Sequence, residues 1–187
     1  MSNTIPLKYG WIMGGQTVIP VKMAASQSFT DRGGKFVDIN VTGYGETADA
    51  SSYHIFGWAE VTGHNNAESS VALTEPARFV TSATAGTTIL PVIISMDAVY
   101  RMPIAYYSAT YTVNFAQTLV GEGHDIYLDT TSFVQFADLT GSTDASIIVL
   151  DGLAASAAKN YAATTGDFGD GWVLVRPNPS FMDAATS

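Results

Sequence analysis

The chain has 187 residues, a formal net charge of −9, only 13% charged residues and no cysteine. Without cysteine, disulfides, thiol catalysis and zinc–thiolate sites are excluded. No Lys/Arg run offsets the acidity, so the electrostatic footprint of a nucleic-acid binder is missing and an anionic membrane would repel the chain.

The length suits one large or two small domains with a real hydrophobic core. Hydrophobic residues make up 47% of the chain, which argues against disorder. The opening MSNTIPLKYGWIMGG has no basic region followed by an apolar run, so it does not read as a signal peptide. No stretch reaches the length of a membrane-spanning helix, and synthesis in a cytoplasm is the expectation.

Residues 1–15 read as an N-terminal arm. Ile5, Leu7, Tyr9, Trp11 and Met13 alternate with other residues until Gly14-Gly15. Such a strand either completes the edge of its own sheet or docks on a neighbouring subunit. If it reaches outward, Trp11, Ile12 and Met13 form an apolar patch that needs a partner. Residues 16–61 read as a small β-barrel-like unit. In it, Val18–Val21 is broken by Pro20, which places it at a sheet edge or at the first position of a strand. Asp31-Arg32-Gly33-Gly34 is a turn. Lys35–Val41, KFVDINV, alternates strictly and predicts a strand with one buried face. Tyr53–Val61, YHIFGWAEV, predicts an aromatic strand in which Gly57 marks a bulge or a close backbone approach.

Residues 62–88 form a connection: a polar loop, then a short turn of helix opened by Glu75-Pro76 and continued through Val80, or an irregular link. Residues 89–180 read as a larger β unit, either separate from 16–61 or continuous with it. Strands are predicted at Ile89–Ile94, toward Arg101 after Met96, at Ala105–Phe115, His124–Asp129, Val134–Leu139, Ala145–Leu150 and Trp172–Arg176. Gly121-Glu122-Gly123 reads as a turn. Asp151-Gly152 reads as the turn that ends its strand. Leu153–Ala163 reads as helix or loop, and Pro177 and Pro179 end the last strand. Residues 181–187 read as a mobile tail. About nine short strands with little helix predict an all-β barrel or sandwich of mostly antiparallel strands.

Catalytic chemistry is sparse. His54 and His64 stand alone. His124 precedes Asp125, half of a hydrolytic triad, but no GxSxG-type turn supplies a nucleophile. Asp167 and Asp170 bracket a loop that reads as an acidic turn before it reads as a calcium site, and the distal Glu of an EF-hand is missing. No catalytic residue, cofactor or metal is expected. Tyr107 and Tyr111 share a strand face opposite Tyr106, a pattern that fits burial on both sides and a subunit interface.

The run GKFVDINVTG, followed by Ile55-Phe56-Gly57-Trp58-Ala59, resembles the small β-barrel of tailed-bacteriophage head decoration proteins. The later runs from MPIAYYSATYTVNF to WVLVRPNP resemble the second half of such proteins, so the likeness spans about residues 16–178. It implies a non-enzymatic virion protein on the capsid surface that bridges major capsid protein subunits. It also implies a homo-oligomer, a trimer before a dimer. The alternative is a carbohydrate- or host-surface-binding module of a fibre or spike, using Tyr107 and Tyr111.

Overall fold

The computed structural model describes residues 10–30, 34–52, 55–59, 78–105, 113–129, 134–141, 145–155 and 171–179. Several expectations lie outside these residues: the arm before residue 10, His54, the loop after residue 62 and its Glu75-Pro76 opening, Tyr106, Tyr107 and Tyr111, the Asp167–Asp170 loop and the tail.

Thirteen strands are present among the described residues, more than the nine expected. In chain order they are β1 (Gly10–Met13), β2 (Val18–Lys22), β3 (Ser28–Thr30), β4 (Lys35–Ile39), β5 (Gly45–Thr47), β6 (Gly57–Ala59) and β7 (Arg78–Val80). Then follow β8 (Ile89–Ile93), β9 (Val99–Pro103), β10 (Gly123–Leu128), β11 (Gln135–Asp138), β12 (Ile147–Leu153) and β13 (Trp172–Pro177). A six-stranded sheet has the order β1-β9-β13-β12-β10-β11, and a five-stranded sheet the order β2-β8-β6-β4-β5. The strands pair antiparallel, β3 and β7 form a separate ribbon, and no closed barrel forms. The all-β sandwich expectation holds.

Alternation explains how one chain serves two cores. Phe36, Trp58 and Ile93 leave one face of the five-stranded sheet and join Tyr100, Met102, Ile126, Val149 and Val175 of the six-stranded sheet in one buried cluster. At its centre Phe36 meets Trp58 and Tyr100 edge-on at 4.8 and 5.0 Å, and Trp58 stacks on Tyr100 at 5.0 Å. Such aromatic pairs add about 0.5–1.5 kcal/mol each beyond area burial. Val37, Ala59, Leu90 and Val92 leave the opposite face and form a second cluster with Phe29 and Phe79. The β3–β7 ribbon covers that cluster, with Phe29 directly opposite Phe79.

This arrangement corrects several expectations. β4 is buried on both faces over Lys35–Val37, because the ribbon covers the side that one-sheet alternation leaves to solvent. Lys35 lies beneath it, donating from Nζ to the Ser28 carbonyl at 2.6 Å, with Nζ 5.7 Å from the Phe29 ring centroid. Arg78–Val80 is strand, not helix, since pairing with β3 is what sets Phe79 over Phe29. Residues 16–61 make no barrel by themselves, for β8 sits between β2 and β6, so one sheet spans the 62–88 connection. Asp151-Gly152 is no turn. It lies inside β12 at a bulge, where Val149 faces Val175 but Asp151 already faces Leu174. Gly152 serves close approach instead: a Cβ there would sit 2.7 Å from the Trp172 carbonyl oxygen and 2.8 Å from the Phe115 ring. The described ends of the Ala105–Phe115 stretch are not strand, and Asn114 there exchanges two 2.8 Å hydrogen bonds with the Ala155 backbone. Gly57 does mark a close approach, since its Cβ would meet the Ile93 carbonyl oxygen at 2.4 Å.

Candidate functional site

A sandwich has four sheet edges, and every exposed edge offers unpaired N–H and C=O groups to another chain. Three edges are managed here. Along β5, Met23 bridges to Gly45 and the Ala24 N–H donates to the Gly45 carbonyl at 2.7 Å. Along β11, Ile104 bridges to Ala137 and the Ala105 N–H donates to the Ala137 carbonyl at 2.9 Å. Edge strand β2 carries Pro20, which lacks a donor, and exposed Lys22. Pro20 stands opposite Pro91, so that rung has no N–H on either side.

β1 is different. Among the described residues it ends the six-stranded sheet with no strand on its outer side, its sequence is GWIM, and it has neither proline nor charge. Its single irregularity is a bulge: Trp11 faces Tyr100 and Met13 faces Val99, leaving Ile12 as the inserted residue. Gly10–Met13 therefore completes its own sheet, one of the two placements open from sequence. Trp11 packs against the main core, Ile12 is half-buried and Met13 is 53% exposed. The following corner is laced to the turn before β9. The Gly15 N–H reaches Asp97 Oδ2 at 3.2 Å, and the Thr17 N–H reaches Ser95 Oγ at 2.8 Å. Exposed Met96 lies in that turn. A hydrogen-bonded corner thus stands beside an apolar edge strand that has no outer partner among the described residues.

Of the expected interface residues, Met13 is exposed at this edge, Ile12 is half-buried there, and Trp11 turns its ring into the core. Tyr107 and Tyr111 fall outside the described residues. His124 and Asp125 do not assemble as an acid–base pair, because successive strand residues point to opposite faces. His124 is buried with Nδ1 3.3 Å from the Gly141 carbonyl oxygen, a contact that needs the proton on Nδ1. Asp125 Oδ1 instead accepts from the Ala145 N–H at 2.7 Å. Among the described residues no three His, Cys, Asp or Glu side chains group as metal ligands.

Sequence reasoning passed over one feature. Arg101 on β9 and Arg176 on β13 sit at outward positions of strands that are otherwise apolar. The signal was their parity within VYRMP and WVLVR; what could not be read was that the two strands are neighbours.

No protein-family model, curated protein or solved structure matches the chain.

Proposed function

We propose that this protein is a non-enzymatic structural component of a phage virion. It binds the outer surface of the capsid and stabilises it by bridging major capsid protein subunits. The observation that supports this reading most is the β1 edge, without a guard among the described residues, beside a hydrogen-bonded corner, with Met13 exposed. Adding a strand to a free edge gives main-chain hydrogen bonds for affinity and side-chain pockets for specificity. The likeness of GKFVDINVTG and IFGWA to head decoration proteins names the partner class. Repeated copies, in trimers by that likeness, would convert modest contacts into tight shell binding through avidity.

Co-sedimentation with capsids that lack the protein tests the proposal. Saturable binding at a copy number set by lattice symmetry, with gained resistance to heat or osmotic shock, is the expected result. Protein left in the supernatant at all concentrations would refute it.

A further inference from the structure

We infer that Arg101 and Arg176 form a recognition site for carboxylate side chains of a protein partner. Arg101 stands opposite Leu174, and Arg176 follows two residues later on the same strand, so all three side chains leave one face of the six-stranded sheet. Diagonal neighbours on such a face are about 7–8 Å apart, within reach of long side chains. Ile148 stands opposite Arg176, and Gly10 of the edge strand stands opposite Arg101 and adds no side chain to cover it.

Three observations give the pair the character of an anion-binding site. First, both Nε atoms are buried with no hydrogen-bond partner. Buried donors without acceptors are rare in native proteins, and each calls for an explanation. Secondly, among the described residues neither guanidinium has an ion pair. Arg101 instead holds its Cζ 4.8 Å from the Trp172 ring centroid, which orients the fork. Thirdly, these are two of only eight Lys and Arg residues in a chain of net charge −9, yet they stand side by side. Adjacent like charges repel unless an anion lies between them.

The surroundings select the anion. Leu174 and Ile148 are half-buried beside the pair, a surface that suits the aliphatic stem of Glu; the exposed carboxylate of Asp151, opposite Leu174, accepts from the Gly152 N–H at 2.8 Å and makes no ion pair with either guanidinium. With both Nε atoms buried, a partner's carboxylate would pair end-on with the two terminal Nη groups of a guanidinium. A nucleic acid would need a longer track of cations and would meet the repulsion of the whole chain. The inference holds whatever larger assembly supplies the partner.

The test is NMR titration of the full chain, reading the Nε–H signals of Arg101 and Arg176. The probes are a blocked tetraglutamate peptide, blocked tetraglutamine at matched ionic strength, inorganic phosphate and a single-stranded oligonucleotide. Tetraglutamate should shift both signals saturably, and tetraglutamine should not. Arg176→Gln, near the end of its strand, should weaken tetraglutamate binding at least tenfold with the amide spectrum otherwise unchanged. Arg176→Lys, which keeps the charge but loses the fork, should weaken it nearly as much. Should Arg176→Gln fail to fold, the wild-type titration decides alone. No saturable shift with tetraglutamate, or equal affinity for phosphate or the oligonucleotide, overturns the inference.

Discussion

The two sides of the sandwich handle the same problem in opposite ways. On the side of β5 and β11, the chain seals its edges with its own backbone and with one side chain. Gln135 reaches from β11 into the other sheet. Its Oε1 accepts from the Phe36 N–H at 2.7 Å, and its Nε2 donates to the carbonyls of Phe36 and Ala48 at 2.8 and 2.7 Å. The amide thus continues the ladder of β4 where β5 stops. On the side of β1 and β2, one edge is blunted by Pro20 and the other has no partner among the described residues. Closure on one side ties the two sheets together through hydrogen bonds, whereas on the other side β1 ends its sheet without a described partner.

Removing the seal should have the largest effect. Gln135→Leu keeps the volume but leaves the Phe36 N–H and the Ala48 carbonyl unpaired, at about 1–3 kcal/mol each, while the Phe36 carbonyl keeps its 2.9 Å bond from the Ala48 N–H. A fall in Tm of more than about 10 °C is expected for a chain of this size. A melt within a degree of wild type would show that the sealed side does not hold the sheets together. Gly57→Ala comes next: the new methyl would strike the Ile93 carbonyl oxygen, and a loss of about 1–3 kcal/mol in urea unfolding is expected. An unchanged midpoint would mean that β6 and β8 separate freely.

The open side should respond in binding rather than in stability. Met13→Lys places a typical edge-guarding charge on β1. Stability should move by no more than about 0.5 kcal/mol, while the amount co-sedimenting with capsids falls at least tenfold. Retained binding would shift the contact away from this edge. The smallest change is expected from Pro20→Thr, which restores a donor to β2 and removes its guard. Light scattering should then show association that rises with protein concentration, with little change in Tm. A variant that remains as monodisperse as wild type would mean that Lys22 guards this edge without help.

How much was legible follows from range. β4, β8 and β13 were readable because alternation is a property of five or six consecutive residues. Gly57 was readable as a close approach because an isolated glycine in a strand pattern has few other uses. Arg78–Val80 misled because three residues carry no periodicity, and only Phe29, some fifty positions earlier, decides their state. Asp151-Gly152 misled because a turn dipeptide and a bulge glycine look alike until the neighbour, β13, is known.

By itself the sequence determined the all-β class, the net acidity and the apolar GWIM run without proline or charge. Tertiary structure alone decided which strands lie side by side, that the 62–88 connection divides no sheet, that Gln135 joins the two sheets, and that Arg101 and Arg176 share a face. The reason is physical. Side-chain direction along a strand repeats every two residues and is local, whereas strand order is set by burying two cores at once, and no window of consecutive residues contains both partners of that choice.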